Sequence, residues 1–212
     1  MDWVTISALS SAGGTLVLAG VTVTSVRSAN RAARVAEQSL LAAQRPLLVP
    51  SRLDDPEQKV GFADDVWLHV AGSSGAALAT DEGFYLAASI RNIGTGIAVL
   101  HGWYVYPEVR RGTTGHAPLE DFHRLTRDLY IAPGDTGFWQ GVSRDPSIEE
   151  YAAVRGAIEA RERLTVDVLY GDFEGGQRVI TRFGLSPLED GGRYRIGVGH
   201  HWNLDRPEPR ER

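Results

Sequence analysis

His116, Glu120 and His123 fall within eight residues of one another, His200 and His201 are adjacent, and Asp172 and Glu174 flank a glycine-bearing turn. Imidazole nitrogens and carboxylate oxygens are the donors that hold a hydrolytic metal ion and the water it activates. A metal-dependent hydrolase using this histidine cluster is therefore one alternative reading. The spacing argues against it. No metal-binding motif is matched, His69 and His101 fall in expected strands, and neighbouring strand residues point to opposite faces, so His200 and His201 cannot share an ion unless the strand bulges.

Gly94-Thr95-Gly96 begins like a dinucleotide fingerprint, but Val99 stands where the third small residue belongs. β-formers follow it where a helix should open. A Walker loop, a G-x-S-x-G elbow and an H-E-x-x-H helix are all missing. The sequence has no cysteine, so disulfides, thiolate nucleophiles and zinc-thiolate sites are excluded. No catalytic residue, cofactor or metal ligand is assigned, and the expectation is a protein that is not an enzyme. Asp172, Glu174 and Arg178 remain as a polar hairpin tip, a candidate recognition loop on a rigid scaffold. Trp103, Trp139 and Trp202 read as core or sheet-face residues.

The 212 residues suit one domain with an appendage, and 42% hydrophobic with 23% charged residues is the composition of a chain that packs. Residues 1–45 carry four arginines against Asp2 and Glu37, a net +2, which leaves −7 of the total −5 for residues 46–212. An acidic body lacks the positive surface that releases counterions from phosphates, so nucleic acid is not an expected partner.

From Trp3 to Val26 there is no charged residue, a run of 24 that exceeds the roughly 20 needed to cross a bilayer core. Its nine Val, Leu and Ile residues contribute about −4 kcal/mol on an insertion scale, opposed by Ser and Thr hydroxyls that can bond back to the preceding turn. A cleaved signal peptide would carry a basic start where Asp2 stands. The run is expected to be a single transmembrane helix. Arg27, Arg31 and Arg34 behind it place the C-terminal side in the cytoplasm, with Trp3 in the opposite interface of the inner membrane. An exported domain released by cleavage is the other alternative.

The helix should continue to Arg45, where Pro46 ends it. Val26, Ala29, Ala33, Ala36, Leu40 and Ala43 recur at coiled-coil spacing, and Ser7, Ser11 and Thr15, with Ser10 and Gly14 beside them, give small-residue faces. Both features suit a homo-oligomer through this helix.

After residue 45 the texture changes to short β-rich runs. PLLVPSRL and DVWLHVAG read as strands, the Ser, Gly and Ala stretch between Gly72 and Gly83 as a loop, and FYLAASIRNIG as a half-buried strand with Phe84, Leu86, Ala88 and Ile90 on its core side. NIGTGIAVLHGWYVY marks a hairpin or tight corner, LYIAPG and TGFWQGV two strands around Pro133-Gly134-Asp135, LTVDVLYGD and GQRVITRFGL a hairpin, and RYRIGVGHHW a last strand. One helix interrupts them in DPSIEEYAAVRGAIEARE, with Asp145 as N-cap, Pro146 at the first turn, and Ile148, Tyr151, Val154 and Ile158 as the buried stripe. The expected fold is mainly β: an N-terminal transmembrane and juxtamembrane helix over 1–45, an antiparallel immunoglobulin-like β-sandwich of seven to nine strands with one crossover helix over 46–205, and a disordered tail over 206–212.

RNIGTGIAVLHGW and LYGDFEGGQRVITRF resemble segments of uncharacterised bacterial single-pass membrane-anchored proteins with a β-sandwich domain. The resemblance implies the same tethered architecture and no reaction. From the uncharged run, the arginines behind it and the lack of a catalytic constellation, the partners expected are the lipid bilayer, through the N-terminal helix, and a protein. The function expected is a membrane-tethered binding or scaffold module.

Overall fold

A computed structural model of the chain describes residues 21–40, 44–111, 114–148, 150–189 and 191–206. The chain divides into two compact units, Met1–Ala43 and Gln44–Arg212. In the first, residues 21–40 form one α-helix, α1, with every side chain exposed. No Gly or Pro interrupts it, and the Thr24 hydroxyl donates to the Val21 carbonyl at 2.9 Å, the back-bonding by which a helix satisfies a hydroxyl internally. Among the described residues no helix is long and apolar enough to cross a membrane. The expected span lies outside the described residues as far as Gly20, Trp3 included, and of the expected tail only Arg206 is described.

The second unit is mainly β, with eleven strands among the described residues, all paired antiparallel. They are β1 (Leu48–Pro50), β2 (Gln58–Gly61), β3 (Trp67–Val70), β4 (Ser74–Ala79), β5 (Phe84–Asn92), β6 (Ala98–Tyr106), β7 (His123–Ile131), β8 (Thr136–Ser143), β9 (Leu164–Gly171), β10 (Arg178–Pro187) and β11 (Arg193–Asn203). One helix, α2 (Tyr151–Glu159), joins β8 to β9. Nine strands make a single continuous sheet, and β2 with β3 makes a separate ribbon.

β5 pairs with β8 along one edge and with β4 and then β1 along the other. From β4 the sheet runs through β11, β10, β9 and β6 to β7. Its two ends, β8 and β7, are consecutive in the chain, joined through a turn in which Gly134 takes φ 82°. One face of the whole sheet therefore lines one core, where Leu86 and Ile90 of β5 join Leu100 of β6, Trp139 of β8, and Val166 and Val168 of β9. Tyr151, Val154, Ala157 and Ile158 of α2 join the same core, with Tyr151 5.6 Å from the Phe84 ring.

The structure corrects several expectations. The stretch expected to be a loop is β4. Its Gly and Ala residues carry no β-branched signal, yet they let it lie tightly against β5, where a Cβ on Gly75 would stand 3.1 Å from the Ala87 carbonyl. β5 is buried on both faces, because β2 and β3 cover Tyr85 and Ala87 with Val60, Phe62, Leu68 and Val70. Of the hairpin or tight corner expected between β5 and β6 the structure has the corner, since neither strand pairs with the other. α2 starts at Tyr151, after Glu150. The Asp145 carboxylate instead accepts from the Ser147 amide at 2.9 Å and hydroxyl at 2.7 Å, closing a separate turn.

Candidate binding site

The structure distributes the sequence-predicted polar residues over different tasks. Asp172 is buried and holds its own turn, accepting from the Gly176 amide at 2.8 Å while Gly175 takes φ 74°. Arg178 is gripped by Asp205: Nη2 to Oδ1 at 2.8 Å, and its own amide to Oδ2 at 2.6 Å. That contact holds the Asp205 carboxyl below its usual range. Glu174 is exposed.

The histidines are spread as well. His69 meets Glu57 at 2.8 Å, the His201 Nδ1 pairs with the Thr181 hydroxyl, His116 and His200 rest against Trp202 at 5.5 and 4.4 Å, and His123 lies against Trp103 at 4.7 Å. Among the described residues no group of three or more His, Asp or Glu is placed to hold a metal ion, and nothing indicates an enzymatic activity. Trp103 and Trp139 are in the core.

His123 does have a thermodynamic consequence. Desolvation pushes its pKa below 6.5, as desolvation and nearby Arg178 do for His101. The folded state thus resists protons that the unfolded chain accepts, so stability is full above pH ~6.5 and falls as pH drops below it. The thermal midpoint of the full-length chain should fall as pH is lowered from about 7 to 5, and His123→Phe should flatten that slope. An unchanged slope would place the acid sensitivity elsewhere.

The strongest polar construction lies on the outer face of β9 and β10, where the register sets Arg182 directly opposite Asp167. Both are buried, at 1% and 0% side-chain exposure. Arg182 Nε donates to Asp167 Oδ1 at 2.7 Å and Nη2 to Oδ2 at 2.6 Å, a two-pronged pair. Its remaining donors reach the carbonyls of Arg111, Thr114 and Gly115 at 3.1, 2.8 and 3.1 Å. The guanidinium is sandwiched by Tyr106 at 5.3 Å and Trp202 at 4.7 Å. Burying Tyr106 beside Asp167 raises its phenol pKa to about 12. Arg182 thereby straps the segment after β6 onto the sheet.

That segment forms one wall of a groove of about 280 Å³. Thr165 on β9 fixes the wall, its hydroxyl donating to the Glu108 carbonyl and accepting from the Arg110 amide, each at 2.8 Å. The Arg110 guanidinium lies 4.4 Å over Tyr106 and pairs with Glu108 at 2.9 Å. The floor is a pair of glycines in register, Gly184 of β10 and Gly197 of β11, both exposed, with no atom within 4 Å of where a Cβ would be. Arg163 and Arg195 complete the lining, exposed and without a hydrogen-bond or ion-pair partner among the described residues. Through Arg163, Ser186 and Arg195 the groove continues into a wider hollow of about 650 Å³.

The chain matches no family model, no curated protein and no solved structure.

Proposed function

We propose that this protein is a membrane-tethered, non-catalytic binding module whose ligand face is the groove over Gly184 and Gly197. The observation that carries the reading is the open glycine floor beside two guanidiniums, Arg163 and Arg195, that have no partner among the described residues. A charged side chain ordinarily finds a partner or solvent, and two aimed at one concavity suit a ligand that supplies the counter-charge. The tether is the N-terminal helix, with the uncharged run from Trp3 in the inner membrane, Arg27, Arg31 and Arg34 on the cytoplasmic side, and the β unit, of immunoglobulin-like sandwich character, in the cytoplasm. Val26, Ala29, Ala33, Ala36 and Leu40 on the exposed α1 supply a seam for self-association.

The test is a photoreactive side chain in place of Val109, on the exposed rim of the groove, in the full-length protein in living cells. A discrete adduct is expected there, and none from the same group at Glu57. Equal labelling at both positions removes the groove as the ligand face. A C-terminal reporter active only outside the cytoplasmic membrane overturns the orientation.

A further inference from the structure

We infer that the groove takes an extended acidic segment of a protein partner, its carboxylates paired with Arg163 and Arg195 and its backbone lying over Gly184 and Gly197. This rests on the binding-module reading above and adds the chemistry of the ligand. Three observations support it.

The first is charge. Residues 46–212 carry a net −7, yet the groove is lined by Arg110, Arg163, Arg182 and Arg195; Arg110 pairs with Glu108 and Arg182 with Asp167, which leaves Arg163 and Arg195 without an acidic partner among the described residues. Guanidinium forks match carboxylates in geometry as well as charge. The second is shape. The groove opens through Arg163 and Arg195 into the adjoining 650 Å³ hollow, and Arg195 and Ile196 also border another of about 480 Å³. A run of several residues fills such a trough, where a small anion would leave most of it wet. Val109 and Val198, both exposed, give it apolar surface between the charges.

The third is the backbone. β11 is paired with β10 along its length, but on its other edge β4 reaches only Arg193, Tyr194 and Arg195. Gly197, Val198 and Gly199 are exposed along the groove, and β1 lies beside β11 on its other side without pairing to it. An extended peptide can lay its main chain over this bare stretch of backbone, and a lipid headgroup has no main chain to offer it. A membrane surface would also bring the whole acidic body against anionic lipid, whereas a peptide meets the basic groove alone.

The experiment uses the full-length chain in dodecyl maltoside and a fluorescein-labelled decapeptide of alternating Glu and Val, followed by fluorescence anisotropy. Parallel arms use the Gln-Val decapeptide, inorganic phosphate and phosphatidylglycerol vesicles. The Glu-Val peptide should bind, weakening as salt rises. Arg163→Gln and Arg195→Gln should each weaken it about tenfold. Gly197→Leu, which fills the floor where no atom stands in its way, should abolish binding without lowering the thermal midpoint. Peptide binding should slow amide exchange over residues 195–199. Equal binding of the Gln-Val peptide, still blocked by Gly197→Leu, overturns the acidic ligand and leaves the groove as a binding face. Phosphate or vesicles bound through the same arginines in place of the peptide overturns the inference in favour of a phosphate ligand. Binding by none of the probes overturns it as well, and the crosslinking from position 109 then decides the broader reading alone.

Discussion

Arg182→Ala should destabilise the β unit by about 3–5 kcal/mol, since removing one partner of a buried ion pair leaves the other as an uncompensated charge. Asp167 would stay at 0% exposure, with only the Tyr106 hydroxyl, at 3.3 Å, left among its side-chain donors. The carbonyls of Arg111, Thr114 and Gly115 would lose their shared donor together. With a urea slope of about 2 kcal/mol/M, the denaturation midpoint of the full-length chain should fall by about 2 M. Arg182→Met combined with Asp167→Leu should recover most of the loss, because an apolar pair buries no charge. The cycle completed by Asp167→Leu alone then measures the coupling. If Arg182→Ala costs less than about 1 kcal/mol, water reaches Asp167 and the pair is not what straps the segment. The effect would reach the groove, because the strapped segment is its wall: in Arg182→Ala, proteolysis between residues 107 and 116 should quicken and peptide binding should weaken.

The pairing behind that prediction is written in the sequence. The glycines after Asp172 signal the β9–β10 turn, and counting outward from it sets VDVL against ITRF. Asp167 and Arg182 are then the lone charges of those two segments, directly across from one another. Asp172, Glu174 and Arg178 at the tip are more conspicuous in the sequence, because turns are polar. Elsewhere legibility follows side-chain type. The β9–β10 hairpin and β11 are rich in β-branched and aromatic residues and stand where their pattern places them. β4 is not, and its Ser-Gly-Ala-Ala-Leu-Ala is a strand because of what packs on it. Tyr85 and Ala87 alternate correctly with Phe84 and Leu86, but alternation cannot tell that a ribbon from Gln58 to Val70 will cover the second face.

The groove was illegible for another reason. Arg163 and Arg195 lie far apart in sequence, and neither Gly184 nor Gly197 is demanded by a turn. Only the β10–β11 register brings the glycines together, and the end of β9 carries Arg163 to the groove that Arg195 also lines. A binding face built from several strands has no local spacing to betray it, unlike a loop motif or a metal-ligand repeat.

Asn92 carries the other large effect, for a reason that charge does not supply. It is fully buried at the end of β5, where three separate segments meet. Its side-chain carbonyl accepts from the amides of Leu47 at 3.1 Å and Gly94 at 2.9 Å, and its amide donates to the carbonyls of Gly96 at 2.7 Å and Ile131 at 3.0 Å. Its backbone ties in the turn after β7, accepting from Gly134 at 2.8 Å and donating to Asp135 at 3.1 Å. The glycines are needed because the segment entering β1 passes so close: a Cβ on Gly94 would stand 2.3 Å from the Arg45 carbonyl, and one on Gly96 would overlap that of Gln44. Asn92→Ala strands two buried carbonyls and two part-buried amides at once. At about 1–3 kcal/mol each, offset where water enters the gap, the loss should be about 4 kcal/mol. Asn92→Asp separates hydrogen bonding from packing, since it keeps the shape but turns two donors into acceptors facing the Gly96 and Ile131 carbonyls. Burial and those carbonyls favour its neutral form, so its folded-state pKa rises above the unfolded ~3.9. The folded variant then binds the extra proton, and its deficit against the parent, compared at each pH, should shrink as pH falls from 7 toward 4. A deficit that stays flat over that range would mean the side chain is hydrated and the junction is held by its glycines alone.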